Sequence, residues 1–526
     1  MNTLAGVPGS RPGRLPSRAA MQASAGRLLP AFAFGGLALL VYRYDAPPVL
    51  GGALLLACAV GLVLRPEVAT QLAVFVLYLN LPAIAHKYHG VPQPIAGAFL
   101  VLLCIPLGHY LVLRRQKVRV DASFRLMLAF FAVLLLASLR ARGPEAAAER
   151  IQTFLLEGVV LYWLVVNAIR DLPALRRAIW TLIAAGSLLG GLSLFQEVTG
   201  SFDQQFGGLA RRNYEYMVLE EKLAADPDNV ELRERKDAMR DDRSRRAEGP
   251  MDEPNMYAQI MLALLPLTLF TFRAAAGRPA RMLAAVAAGL IVGGMVVAES
   301  RGAFVALVLV VGAALAIRWI RPAHVVTCAL ALGGLATLVA SERLVERLAT
   351  IPAALAVLQG HPSVQRDYAI EGRATEMLAA LQVFGDHPLL GVGPGQYAPF
   401  YSVEYHQKNP RTKFLDLRIP RRGHSLYLEM GAEVGAVGLS VFLAIVGVLM
   451  RSLWLARKHW LERSPLHADL ATALLLTLGA YLATGIFLHL MYERYYWLLL
   501  ALASAGVHIL RELEHAPARE HPLLKG

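Results

Sequence analysis

GRATEMLAALQVFGDHPLLGVGPGQYAPFY (372–401), followed after a polar passage by RRGHSLYLEMGAEVGAVGLS (421–440), decides how the chain is read. It opens with an amphipathic pattern from Arg373 to Phe384, in which Met377, Leu378, Leu381 and Phe384 share one helical face. Gly391, Gly393 and Gly395 break that helix. A wet loop follows, and His424 then stands at the mouth of a long apolar run. A histidine, several arginines and a glycine-rich turn at a membrane–water boundary suit an anionic substrate held in lipid.

The rest of the chain supplies that membrane. Of 526 residues 56% are hydrophobic and only 17% charged, and the mean hydropathy is +0.46. A soluble domain of this size needs far more polar surface, so the chain is a polytopic membrane protein. The apolar mass is Leu, Ala, Val and Gly, the composition of packed transmembrane helices. A net charge of +13 invites a nucleic-acid reading. That reading fails, because most of the basic residues fall in short loops beside apolar spans, where they orient helices. Cys58, Cys104 and Cys328 all sit inside apolar spans, so neither a disulfide nor a metal cluster is expected.

Apolar runs of helical length recur near 28–42, 49–64, 68–85, 94–113, 124–139, 151–169, 175–196, 255–272, 282–298, 302–319, 323–340, 426–450, 468–490 and 495–510. The expected fold is all-α: a polytopic transmembrane helical bundle of about 12–14 spans with two long outward loops containing short helices. The run after the basic N-terminus is followed by RYDAPP rather than a cleavage site, and is read as a retained helix. The expected divisions are a disordered N-terminus (1–27), N-terminal helices (28–196), a charged helical hairpin (197–254), central helices (255–340), a large outward loop with the catalytic candidates (341–425), C-terminal helices (426–510) and a tail (511–526). Basic clusters at 114–125, 170–177, 273–281, 318–321 and 451–463 fall on one side, which the positive-inside rule makes cytoplasmic, together with both termini. The loop with Arg140, Arg142 and Arg150 breaks the pattern, since the same scheme puts it outside.

On the outward side four positions converge: Arg246, Arg301, Arg373 and His424. Guanidinium groups bind phosphate bidentately and stay charged. Arg301 has apolar runs on both sides, where a charge is costly unless it faces protein or a polar cavity. A salt bridge to Glu299 is its plain structural alternative, and Arg373 has Glu371 and Glu376 beside it to balance charge. Arg243 and Arg245 compete with Arg246. His424 follows Arg421, Arg422 and Gly423, and a cationic neighbourhood favours the neutral, proton-accepting imidazole. GVGPGQY lacks the preceding strand and following Lys-Ser/Thr of a nucleotide loop, so no nucleotide cofactor is expected.

RAEGPMDEPNMYAQIM (246–261), ESRGAFVAL (299–307), GRATEMLAALQVFGDHPLLGVGPGQY (372–397) and HSLYLEMGAEVGAVGL (424–439), in that order, resemble the bacterial O-antigen ligase and O-antigen polymerase superfamily. The resemblance implies a glycosyltransferase of the bacterial inner membrane, acting at the periplasmic face without a nucleotide sugar or a metal. It implies a glycan donor on undecaprenyl pyrophosphate, and as acceptor either lipid A–core (ligase) or a second lipid-linked repeat (polymerase). The family's essential histidine falls on His424 and its short-loop arginine on Arg301. Arg246 (or Arg245), Arg373, Arg422 and Asn255 fall to donor binding. The hairpin at 213–244 is longer than a typical ligase has, and the spans exceed the usual number. A transporter or flippase of lipid-linked oligosaccharide is the competing class.

Overall fold

A computed structural model describes residues 61–92, 97–212, 246–327, 368–408, 419–489 and 494–515, with scattered positions between 219 and 233. By its contacts the chain divides at Val68/Ala69. The described part of the first unit is a short helical turn and the opening of one helix. The second, Ala69–Gly526, is a helical bundle and carries everything below.

Its helices are α1 (Pro66–Tyr78), α2 (Leu81–His89), α3 (Ala98–Leu113), α4 (Ala122–Ser138), α5 (Pro144–Ala168), α6 (Leu172–Thr199), α7 (Pro254–Ala274), α8 (Arg278–Val297), α9 (Arg301–Ala316), α10 (Tyr368–Asp386), α11 (Ser402–Lys408), α12 (Leu426–Trp460), α13 (Pro465–Thr484) and α14 (Arg494–His515). Among the described residues seven helices are long and apolar enough to cross a membrane, or eight if the bent pair α1–α2 counts as one span. α3, α4 and α9 are shorter apolar helices. From 68–85 onward, the apolar runs expected from the sequence that fall within the described residues lie largely on these helices, so the chain is a polytopic helical membrane protein. The runs at 28–42 and 323–340, and most of 49–64, lie outside the described residues.

The sequence punctuates these helices visibly. Asp121 and Asp171 cap α4 and α6, accepting from the amides of Phe124 and Ala174 at 2.6 and 2.7 Å. α5, α6, α7, α8 and α13 carry proline in the first turn, where no amide is missed. α12 packs against α4, α10 and α13, and α7 against α8 and α13. α6 meets α8 at Gly190, where a Cβ would lie 2.1 Å from the carbonyl of Leu290, so only glycine admits the crossing. Phe130, Phe154, Phe442, Tyr496 and Trp497 join α4, α5, α12 and α14 in an aromatic core.

The basic loops assigned to one side do meet at one end of the bundle. Arg119 reaches the carbonyls of Ile169 and Arg170 and the carboxylate of Glu512. Arg176 reaches Ala274, Arg273 reaches Trp319 and Asp469, and Arg457 reaches Ile317. Several of these acceptors are the last carbonyls of α5, α7 and α9, which lack helical partners and carry the negative end of the helix dipole.

The exceptional loop, 139–143, lies on residues 396–404 instead. Gln396 and Gly143 exchange two hydrogen bonds of 2.8 and 3.0 Å. Arg142 pairs with Glu404 at 3.1 Å and covers the ring of Tyr401. Arg142 therefore has tertiary partners, which accounts for this basic residue where the topological rule does not want it.

The insert after α6 closes at its base as a short antiparallel pairing, β1 (Arg211–Arg212) with β2 (Ala247–Gly249). Arg211 and Arg212 are buried there against Asp252 and Glu197. Most of the hairpin at 213–244 lies outside the described residues.

Candidate active site

The site is assembled around α10 and the start of α12. α10 stops at Asp386, two residues ahead of Pro388, so proline and not the glycines ends it. Its buried face also differs from the expected one. Ala379, Ala380 and Val383 pack on Val392, Tyr397 and Ala432, whereas Leu381 is 48% exposed. Small residues let α10 lie close to α12, where Gly431 sits under the ring of Phe384, and the larger leucine face is displaced outward.

The glycine turn that follows is built into α12 itself. α12 is broken at Gly435, whose φ of 66° and ψ of −171° are closed to a side chain. Into the break come the backbone groups of the turn. Ala436 N donates to Pro388 O at 2.7 Å, and Val392 N donates to Ala432 O at 2.9 Å. The carboxylate of Glu433 accepts from the amides of Gly395 and Tyr397. A Cβ on Gly435 would lie 2.2 Å from Leu389 O, and one on Gly391 (φ 65°) would lie 2.3 Å from the Glu433 carbonyl carbon. GVGPGQY is thus a structural insert that fixes α10 against α12.

His424 stands just before Ser425, the cap of α12, with a left-handed φ of 45°. The backbone is clamped on both sides: Gly423 N donates to Glu429 at 2.8 Å, and Leu426 N, two residues on, donates to Gly485 O at 2.8 Å. A buried carboxylate, Glu376 of α10, places Oε2 3.3 Å from His424 Nε2. His489 meets the His424 ring edge-on, with centroids 5.5 Å apart. Burial pushes the His424 pKa well below the ordinary imidazole value, with Arg373, His489 and Arg421 adding in the same direction and Glu429 opposing. His489 is pushed down likewise, by burial and then by Arg422, Arg150 and Arg373.

Beside this lies a small cleft lined by Asn255, Ser300, Gly302, Arg373, Thr484 and Phe487. Two helices begin at it. Asn255 is the second residue of α7, and Ser300 caps α9. Ser300 Oγ donates to Asn255 Oδ1 at 2.8 Å, which also accepts from Arg246 Nη2 at 3.2 Å. Two helix N-termini and a guanidinium at one cleft attract an anion. Two pieces of chain join the cleft to His424. α10 carries Arg373 and, one turn later, Glu376; the segment after α13 lines the cleft with Phe487 and ends at His489.

The predicted cations sort into two kinds. Arg246, 6% exposed, gives its guanidinium to Ala298 O at 3.0 Å, Glu299 O at 3.4 Å and Asn255, so it holds the turn before α9. Arg422 lies on Glu429 Oε1 at 2.7 Å through both Nε and Nη2. Arg301, first residue of α9, and Arg373 are both half-buried, Arg301 between two residues of the cleft wall and Arg373 in the wall itself. Arg245 lies outside the described residues.

Two groups at the site escaped the sequence reading. Glu376 is set against His424 and Arg421 (3.8 Å) in the fold. His489 was absorbed into an apolar run expected to extend to residue 490, but α13 ends at Thr484, where the Gly485 carbonyl turns to Leu426. The signal for Glu376 was a carboxylate three residues after Arg373; for His489, a histidine at the end of an apolar run.

Among curated proteins none matches the chain. Residues 283–443, a stretch containing Arg301, Arg373, Arg422 and His424, match the family described as O-antigen ligase, which supports the resemblance to the O-antigen ligase and polymerase superfamily.

Proposed function

We propose that this enzyme transfers a glycan from undecaprenyl pyrophosphate to an acceptor hydroxyl at the periplasmic face of the bacterial inner membrane, the acceptor being lipid A–core or a second lipid-linked repeat. The observation that carries the reading is the cleft beside His424. An anion site made of two helix N-termini and Arg373 lies beside a half-buried histidine, whose pKa burial and the nearby cations push down. Polyprenyl pyrophosphate is already an activated leaving group. Arg301 and Arg373 stabilise the charge that gathers on it as the sugar–phosphate bond breaks, with no metal required. Preorganisation comes from the chain Arg246–Asn255–Ser300, which fixes the turn carrying Arg301. His424 takes the proton of the attacking hydroxyl from the far side of the sugar. Asn255 and Arg246 act through the turn, and Arg422 through Glu429 and the Gly423 amide.

The acceptor is resolved with purified protein and a defined undecaprenyl-pyrophosphate glycan, offered lipid A–core or a second lipid-linked repeat in separate reactions. A shift of lipid A–core marks a ligase, and a ladder of lengthened lipid-linked glycan marks a polymerase. Movement of intact donor across the bilayer, with no bond broken in either reaction, supports the flippase reading instead.

A further inference from the structure

We infer that Glu376 is a positioning residue that holds His424 in the Nε2–H tautomer, so that Nδ1 is the atom that accepts the proton of the acceptor hydroxyl. The inference rests on the glycosyl-transfer reading and names the reacting atom within it.

On one side of the ring, Glu376 Oε2 lies 3.3 Å from Nε2, and the Glu376 side chain is 2% exposed. Its backbone is fixed by Tyr397, whose hydroxyl donates to the Glu376 carbonyl at 3.0 Å, and its other oxygen faces Arg421 Nε at 3.8 Å. On the opposite side, Nδ1 of His424 is buried and has no hydrogen-bond partner among the described residues. A proton on Nδ1 would leave a buried N–H unsatisfied, whereas a proton on Nε2 is directed at a carboxylate. The ring cannot readily turn to exchange these faces. His489 closes one edge, and the backbone is pinned at Gly423 and Leu426.

The charged and titratable groups facing His424 are Arg373 and Glu376 from α10, Arg421 from its own loop, Glu429 from α12 and His489 from the segment after α13. Burial and the cations keep the resting ring neutral. In the step, the acceptor oxygen bonds to the anomeric carbon as the bond from that carbon to the phosphate oxygen breaks, and that electron pair departs with the pyrophosphate. The hydroxyl proton moves to Nδ1. The imidazolium so formed donates through Nε2–H to Glu376 and afterwards loses the Nδ1 proton to water.

The test uses the full-length protein in lipid nanodiscs. Glu376→Gln is expected to lower kcat about 100-fold. The KM for the lipid donor stays within about two-fold. The acid limb of kcat/KM moves down by about one pH unit, because removing a carboxylate makes the imidazole harder to protonate. Glu376→Asp recovers part of kcat, a rescue that a merely structural role does not predict. An unchanged kcat and pH profile in Glu376→Gln, with His424→Ala inactive, overturns the inference and leaves the base assignment standing. An active His424→Ala removes the reading beneath it. Nitrogen NMR of histidine-labelled wild-type protein, assigned with His424→Asn, tests the tautomer without altering Glu376: Nε2–H is expected, and Nδ1–H overturns the inference.

Discussion

At one end of the bundle Arg119, Arg176 and Arg457 each hydrogen-bond carbonyls at or beside a neighbouring helix C-terminus. At the other, Arg301 and Arg373 stand at helix N-termini, beside Ser300 and Asn255. The same side chain has opposite electrostatics in the two places. A guanidinium at a helix C-terminus completes the dipole and is satisfied by the fold itself. At an N-terminus the guanidinium and the helix dipole have the same sign, and together they favour an anion. On the proposed reading, the comparison separates structural from substrate-binding arginines more sharply than counting them does.

The comparison breaks most readily at His424. His424→Ala should lower transfer by about 10³-fold with the melting temperature unchanged, and Arg301→Ala should follow at about 10²-fold. Initial rates on a defined lipid-linked donor check both. Arg246→Ala tests a buried arginine at this end that bonds to carbonyls. It should cost about 2 kcal/mol in stability, read as a lower melting temperature, with activity falling alongside as the turn before α9 loosens. The pH profile sharpens the assignment of His424. Its folded-state pKa is depressed, so the ring stays neutral and competent as pH falls through 6.5, and the acid limb of kcat/KM should lie below that value. An acid limb above 6.5 would assign the base elsewhere. The smallest effect is expected from Arg142→Ala. This half-exposed pair with Glu404 should be worth under about 1 kcal/mol, and transfer should stay within about two-fold of wild type.

Much of this was legible in the chain. The helix starts are written in Asp121, Asp171, Ser300 and Ser425 and in the first-turn prolines, because caps are local chemistry. The two ends followed from the basic loops, and His424 from its place before an apolar run. The rest depends on contacts distant in sequence. Gly435 breaks α12 within a run that reads as uninterrupted, because the hydrogen bonds filling the break come from residues 388–393. The buried face of α10 is alanine and valine rather than leucine, since closeness to α12 decides it and not hydropathy. Glu376 sits beside an arginine in sequence but beside a histidine in space. Arg142 contradicts the topological rule until Glu404 and Tyr401 are seen against it.

The most direct test of the central claim follows both products of one turnover. Wild-type protein, given undecaprenyl-pyrophosphate glycan and acceptor in the presence of EDTA, should release undecaprenyl pyrophosphate in equal amount to the glycan transferred. The variant carrying both Arg301→Ala and His424→Ala should release neither. Transfer abolished by EDTA, or persisting in the double variant, would contradict the account.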